Sequence, residues 1–195
     1  MRDRNAPGRP REFDDTEMLR KIMGLFWKSG FDGVSLSQIM AETSLQKASL
    51  YAAFGDKRSM YLKALNQYHQ DVVSAAAQAL RDATIDPRTR IETFLTAPSA
   101  AVEAQDRTGC FLCNASADQA DLDADTQAQV RRGFEQLANA LSSALAELHP
   151  DLDEGDRTAR AQMLLALYSG LRIIARSGGN LAQMNSAVSH AMSLV

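Results

Sequence analysis

The chain has 195 residues, with 21 Lys and Arg against 24 Asp and Glu, so its formal net charge is −3. Hydrophobic residues make up 45% of it, which excludes a wholly disordered chain, and the length suits one or two small domains. The average charge argues against a nucleic-acid role. Two cysteines make no disulfide framework, and no apolar stretch is long enough for a signal peptide or a bilayer span, so we expect a cytoplasmic protein without membrane contact.

The elements in chain order predict an all-α protein of about nine helices. Residues 1–13 form a flexible basic arm, since two prolines and a glycine prevent regular structure there. No convincing strand pattern occurs. The spacing of apolar residues and the helix-capping residues predict helices over about 14–28, around 36–40, and over 46–53, 57–81, 86–105, 126–148, 156–176 and 181–194, with a short apolar segment at 109–117.

Residues 35–54 contain two short predicted helices separated by a tight turn and preceded by a longer helix, which is the layout of a helix-turn-helix module. In that module the second short helix enters the major groove of DNA. Short helix pairs are also common in all-α proteins, and Tyr51 alone would fit a half-buried packing residue. Leu45, Leu50 and Phe54 face the core, and the helix presents Gln46, Lys47, Ala48, Ser49 and Tyr51.

The stretch 34–57 resembles the DNA-binding signature of the tetracycline-repressor (TetR) family of transcriptional regulators. Its most specific part is Leu50-Tyr51-x-x-Phe54-x-x-Lys57, and the clear resemblance covers about residues 12–65. Two positions depart from the usual pattern: Ser44 replaces the usual turn glycine and is expected to cap the next helix, and Gln46 is left free to read a base. The resemblance places these residues on positions that commonly touch DNA: Ser35, Lys47, Ser49, Tyr51 and Lys57.

The resemblance implies a flexible basic arm at 1–13, a helix-turn-helix DNA-binding domain at 14–60 and an effector-binding and dimerisation domain at 61–195, joined by the long helix. The distribution of charge agrees, because residues 1–69 have a net charge of +3 and residues 70–195 one of −6. Arg9 and Arg11 on the arm could enter an A·T-rich minor groove or simply aid solubility.

In the resembled family, two long penultimate helices form a four-helix bundle with those of a second copy, so we expect a homodimer through helices 126–148 and 156–176. Small residues in them, such as Ala138, Ala144, Ala161 and Gly170, would permit close approach. The resemblance also implies a small-molecule effector of unknown identity. Arg172 could pair with an anionic effector or, as we favour, with a buried carboxylate. Residues expected to line the pocket are Phe94, Phe111, Phe134, Tyr168 and Arg172.

Cys110 and Cys113 form a Cys-x-x-Cys pair at a helix start, where the helix N-terminus lowers a thiol pKa. Three interpretations stay open: ordinary packing, a redox or electrophile sensor, and a metal site, which is disfavoured because the three histidines are not spaced as ligands. No cofactor or metal is predicted. The leading hypothesis is a homodimeric repressor released by its effector; the alternatives are the thiol-sensing variant, a dithiol oxidoreductase and a protein-interaction module.

Overall fold

The computed structural model describes residues 14–118 and 123–195, and within these ranges the protein is entirely helical, as predicted. The elements are α1 (Asp15–Ser29), α2 (Leu36–Thr43), α3 (Lys47–Phe54), α4 (Lys57–Tyr68), a π-helical segment (His69–Val73), α5 (Ser74–Leu80), α6 (Pro87–Glu103), α7 (Phe111–Asp118), α8 (Ala124–Leu148), α9 (Glu154–Arg176) and α10 (Leu181–Ser193). The π segment joins α4 and α5 without a break, so the described residues form nine continuous helices.

The ends of the first helices are fixed by capping residues close to the predicted helix boundaries. The Asp14 and Asp56 side chains accept hydrogen bonds from backbone N–H groups in the first turns of α1 and α4. Ser35 and Gln38 form a reciprocal capping box at the start of α2. Gly30 ends α1 with a φ of 72°, in the left-handed region that favours glycine. These caps set the positions at which the chain turns between helices.

The turn between α2 and α3 differs from its prediction. Ser44 does not cap α3; it follows α2 in the left-handed conformation (φ 56°, ψ 21°), so it occupies a glycine-type position as a serine. The residue before α3 is Gln46, whose side chain makes no capping hydrogen bond. The buried hydroxyl of Thr43 stabilises the turn instead, donating to the Ile39 carbonyl at 2.7 Å and accepting from the Leu45 N–H at 3.4 Å.

The long connecting helix agrees with the prediction over 57–81 in length but contains a π turn at His69–Val73. Periodicity does not predict this insertion. Its polar side chains contact neighbouring helices: Asp71 accepts from the Arg20 guanidinium of α1 at 2.8 Å, and His69 contacts Gln136 of α8. A π turn inside an α-helix often marks a functional position. The connecting helix is therefore held on both sides where its hydrogen-bond pattern changes.

The C-terminal half is built around the antiparallel pair α8 and α9, on which α6 and α7 pack. Helix α7 approaches α8 closely at Gly133, where an added Cβ would lie 2.6 Å from Leu112. Ala144 and Ala161, two of the small residues expected to permit close approach between subunits, are fully buried within the chain. A single cluster of buried residues extends from α1 to α10, so the N-terminal helices and the C-terminal bundle share one core.

Candidate nucleic-acid interface and effector cavity

Helix α3 is anchored by its apolar residues and exposes its polar ones. Leu50 and Phe54 are buried at 0% and 3% exposure. Three of the predicted contact residues, Gln46, Lys47 and Ser49, are exposed. Since α3 has only eight residues, its orientation depends on packing and not on its own helical stability. The arrangement is a short, rigidly held helix with a polar outer face.

Tyr51 is the exposed aromatic residue of this face. Its side chain is 37% exposed, and the Lys47 ammonium lies 5.9 Å from the centre of its ring. A lysine this close to a tyrosine ring is weakly attracted to its face. The Lys47 and Tyr51 side chains therefore project together from α3 and present an ammonium group and a phenol hydroxyl close to each other.

Two further predicted contact residues lie at helix starts beside α3. The N–H and hydroxyl of Ser35 both donate to the Gln38 side chain, so the free donors at the start of α2 are the N–H groups that follow Ser35. Lys57 is the first residue of α4, and its ammonium lies 4.5 Å from the centre of the Phe31 ring. Both positions can offer donors to an anion.

Other cations of the N-terminal helices are neutralised by carboxylates. Arg20 binds Asp71, and its guanidinium holds the pKa of that carboxyl below the usual value. Arg58 binds Asp123 and Asp125, the latter at 2.6 Å. Lys47 and Lys57 have no carboxylate within 4 Å in the described ranges. The uncompensated positive charge of this region therefore includes the two lysines that the sequence singles out.

Helix α7 joins these N-terminal helices to the C-terminal bundle. The Asp118 carboxylate accepts the N–H of Phe31 at 2.6 Å, and the Asn114 amide donates to the carbonyl of Trp27 at 3.1 Å. The Trp27 indole donates in turn to the Gly109 carbonyl at 3.3 Å. None of these polar contacts was foreseen, because they join residues more than 80 positions apart in the chain.

Cys110 and Cys113 lie at the start of α7. The Cys110 sulfur accepts hydrogen bonds from the Cys113 thiol, from backbone N–H groups of the first helical turn and, at 3.6 Å, from the Tyr68 hydroxyl. The Cys113 thiol makes the largest contribution and, against the effect of burial, these donors lower the pKa of Cys110 to about 6. The Cys113 pKa is raised, chiefly by its hydrogen bond to Cys110.

A cavity of about 260 Å³ lies between α5, α6 and α9. It contains three of the residues predicted to line a pocket, Phe94, Tyr168 and Arg172. The other two lie elsewhere: Phe111 packs between aromatic rings in the core, and Phe134 is half-buried on α8. The remaining lining residues, which the sequence analysis missed, are Val72, Ala76, Ala79, Leu80, Ile85, Thr89, Arg90, Thr93 and Ala97.

Among the described residues Arg172 pairs with no buried carboxylate, which contradicts the favoured expectation. Its Nε donates to the Tyr168 hydroxyl at 2.9 Å, one helical turn earlier on α9. The Tyr168 ring stacks on Phe94 of α6, with ring centres 4.1 Å apart. Burial disfavours the charge of Arg172, but Tyr168 and further polar neighbours keep its pKa above the usual value, so the group stays charged.

The described residues contain no group of three or more acidic, histidine or cysteine side chains that could hold a metal ion. In the same ranges no helix is long and apolar enough to cross a membrane. Arg9 and Arg11, the predicted arm contacts, lie outside the described residues.

Comparison with known proteins agrees with this geometry. The sequence model of the tetR family of bacterial regulatory proteins matches residues 19–64, which run from α1 into α4. The chain is 26% identical to the HTH-type transcriptional repressor ComR of Escherichia coli K12, over 93% of this chain and 88% of ComR.

Solved structures have the same fold along nearly the whole chain. A cysteine mutant of the TetR family regulator CifR, complexed with 26-bp double-strand operator DNA, superposes with a TM-score of 0.81 at 21% identity, covering 95% of this chain and 98% of that one. The reduced form of E. coli NemR gives a TM-score of 0.77 at 22% identity, covering 92% and 95%.

Proposed function

Because this chain belongs to the tetR family of bacterial regulatory proteins, we propose that it represses transcription as a homodimer that leaves its operator when a small effector binds. Family membership makes it a DNA-binding transcriptional regulator and not an enzyme. The exposed polar face of α3 carries the proposal. We assign 14–60 to DNA binding and 61–195 to effector binding and dimerisation, in a protein that acts in the cytoplasm.

The side chains of α3 divide by chemistry into base and phosphate contacts. Gln46 and Lys47 lie at the start of the helix, the end that reaches base edges in helix-turn-helix complexes, and both can hydrogen-bond to bases. Ser49 and Tyr51 offer hydroxyl groups suited to phosphate oxygens. The relative ComR is named a repressor, and the neighbour CifR was solved on operator DNA, which supports this use of the face.

Phosphate contacts on either side of α3 fix its register in the groove. Lys57 and the free N–H groups after Ser35 would bind the backbone there. Arg9 and Arg11 would follow the duplex into the adjacent minor groove. Since each of these contacts displaces counterions, operator affinity should fall steeply with salt.

The surface of α9 supports a homodimer. Six apolar or small residues on one side of α9 are exposed or only partly buried, and we call them the α9 stripe: Met163, Ala166, Leu167, Gly170, Ile173 and Ile174. Three of its large side chains are 43%, 61% and 46% exposed. An apolar face of this kind is buried in a two-fold dimer by the same face of a second copy. The dimer would place two α3 helices about one turn of DNA apart.

The cavity between α5, α6 and α9 is the effector site that we favour. Val72 of the π segment and Ala76 of α5 form one of its walls, and both belong to the helix that continues into α4. A ligand that favours a displaced position of this wall would also displace α4 and the helices packed on it. The effector would then shift the population away from the spacing that fits the operator.

The cysteine pair supports a second regulatory input. Hydrogen bonds from the Cys113 thiol and from first-turn N–H groups lower the pKa of Cys110, so Cys110 is the nucleophile of the pair. With hydrogen peroxide as oxidant, its thiolate attacks the O–O bond and gives a sulfenic acid and hydroxide. The Cys113 thiol then closes a disulfide with release of water. Oxidation would distort the start of α7, whose other end binds Phe31. The structural neighbour NemR was solved in a reduced form, which is consistent with such chemistry.

Operator binding tests the primary proposal. Operators are selected from a random duplex pool with the intact protein, and affinities are measured by fluorescence anisotropy. Lys47→Ala and Tyr51→Ala should each weaken binding about tenfold or more. Arg131→Ala, at an exposed cation of α8, should leave it unchanged. Unchanged affinity in both α3 variants would assign DNA recognition to another surface.

Peroxide tests the second input. It should lower the operator affinity of the protein, and Cys110→Ser and Cys113→Ser should abolish this response while binding DNA normally under reducing conditions. A full response in both variants rules out the thiol input and leaves DNA recognition untouched. A disulfide-reductase assay on the pure protein should show no turnover.

A further inference from the structure

The effector cavity contains one cation, Arg172, that forms no ion pair with a carboxylate in the described ranges. Arg172 is half-buried at its wall and donates to the neutral hydroxyl of Tyr168 at 2.9 Å. No carboxylate lies within 4 Å of its guanidinium anywhere in the described ranges. A buried cation normally has an anionic partner. The Arg172 guanidinium therefore has no direct anionic partner, although Asp106 and Cys110 interact with it electrostatically at longer range.

A second guanidinium beside it is nearly satisfied. The Arg90 side chain is 1% exposed and lines the same cavity. It binds Glu147 and donates to the Leu80 carbonyl at 3.0 Å, but its Nε is buried without a hydrogen-bond partner. Its charge is thus balanced, and one donor of its fork is left unused. The net charge of the pair is that of Arg172 alone.

The rest of the cavity is apolar and small. Alanine and branched aliphatic side chains of α5 and the π segment form one wall, and the stacked rings of Phe94 and Tyr168 form another. The hydroxyl-bearing residues are Thr89 and Thr93 of α6, together with Tyr168. The volume of about 260 Å³ is slightly below that of most ligand pockets, which span roughly 300–1,000 Å³. Such a site excludes large or strongly hydrated ligands.

We propose that the effector is a small amphipathic carboxylate whose carboxylate binds Arg172 and whose apolar body lies against Phe94 and the α5 wall. The inference rests on the proposed function, since it takes this cavity as the effector site. The planar guanidinium fork matches a carboxylate with two parallel hydrogen bonds. A phosphate monoester fits less well, because it brings close to two negative charges to a site with one unpaired guanidinium.

Matched acids and amides test the ligand class on the DNA-free protein. The probes are benzoate, phenylacetate, octanoate and decanoate, each compared with its own amide by isothermal titration calorimetry at pH 7.5. The amides keep the apolar body and lose the charge. At least one acid should bind about tenfold or more tightly than its amide, because hydrogen bonds to charged groups are the stronger ones. If no acid exceeds its amide, the proposal is overturned.

Two substitutions on α9 locate the charge recognition. Arg172→Met should bring acid and amide to similar affinity, whereas Arg160→Met removes an equal charge outside the cavity, where Arg160 donates to the Leu194 carbonyl, and should keep the preference. A preference that survives Arg172→Met overturns the assignment. Arg172→Lys, which keeps charge but loses the fork, should give an intermediate preference.

Operator release is measured separately. The acid that binds best should lower the operator affinity of the protein, and its amide should not at the same concentration. Binding that depends on Arg172 without operator release would support the ligand class and contradict the effector role of the cavity. Failure of every acid with normal operator binding would overturn the ligand class alone. The ligand class and the effector role of the cavity can thus fail independently.

Discussion

The hydrogen bond between Asp118 and Phe31 is the most specific polar link between α7 and the N-terminal helices. The carboxylate accepts the Phe31 N–H at 2.6 Å, and the contact is partly buried. At Gly30 an added Cβ would lie 2.9 Å from the same carboxylate oxygen, so this turn closes tightly around Asp118. Asp118→Ala leaves the N–H without an acceptor.

The magnitude follows from the kind of bond removed. A hydrogen bond to a charged group contributes about 1.5–3 kcal/mol, and a neutral one about 0.5–1.5 kcal/mol. In the described ranges no cation lies within 4 Å of Asp118, so no ion pair adds to the loss. We expect Asp118→Ala to lower the free energy of unfolding by about 2 kcal/mol, and Asp118→Asn, which keeps an acceptor oxygen, by about 1 kcal/mol.

Two measurements check this order. Urea unfolding of the three proteins gives the free energies, and hydrogen exchange followed by NMR reports the Phe31 amide itself. Asp118→Ala should accelerate exchange at Phe31 more than at Ile22 in the middle of α1. Equal stabilities together with unchanged Phe31 exchange would refute the assigned link between α7 and the turn.

Three further predictions follow from the packing, the thiol and the α9 stripe. Gly133→Ala should destabilise the fold by about 1–3 kcal/mol, because its Cβ would meet a leucine of α7 at 2.6 Å. The Cys113 thiol chiefly lowers the Cys110 pKa to about 6, below its value near 8.5 in the unfolded chain. The stabilisation of the reduced protein relative to Cys110→Ser should therefore decrease as the pH falls from 8.5 through 6. Ile173→Glu should convert the dimer to monomers in sedimentation velocity.

Each of these predictions has a contrary outcome. Gly24→Ala adds the same methyl group where nothing lies within 4 Å, so it should be neutral or stabilising by up to about 1 kcal/mol; equal loss in both glycine variants would contradict the close packing of α7. A stability difference from Cys110→Ser that does not vary with pH would contradict the thiolate. Leu194→Glu, at a residue 54% exposed beyond α10, should leave the dimer intact.

Local sequence signals determined much of the N-terminal fold. Asp14, Ser35 and Asp56 each cap a helix close to a boundary that the sequence predicts, because capping depends on residues within one turn of each other. The exposed residues of α3 were likewise readable from the spacing of Leu50 and Phe54. Ser44 was misread because serine is a good N-cap but rarely adopts the left-handed conformation it has here.

The features that required the structure join residues distant in sequence. Arg90 is spaced as an apolar residue of α6, and only the fold shows that Glu147 neutralises it across the bundle. The carboxylate expected for Arg172 is absent for a similar reason: a periodic pattern shows that a cation faces inwards but not what lies opposite. The π turn depends on contacts with α1 and α8, which propensity does not contain.

The two proposed inputs act on the DNA-binding helices through different parts of the same structure. A carboxylate at Arg172 would act on the wall formed by α5 and the π segment, which continues into α4. Oxidation of Cys110 would act on α7, which binds Trp27 and Phe31 at the end of α1. Both routes end at helices that share the buried core of the N-terminal region.

The two inputs should therefore combine. Peroxide treatment should lower the concentration of acid needed to release half of the bound operator. In Cys113→Ala that concentration should not change with peroxide. Equal acid requirements before and after oxidation would show that the two routes do not meet.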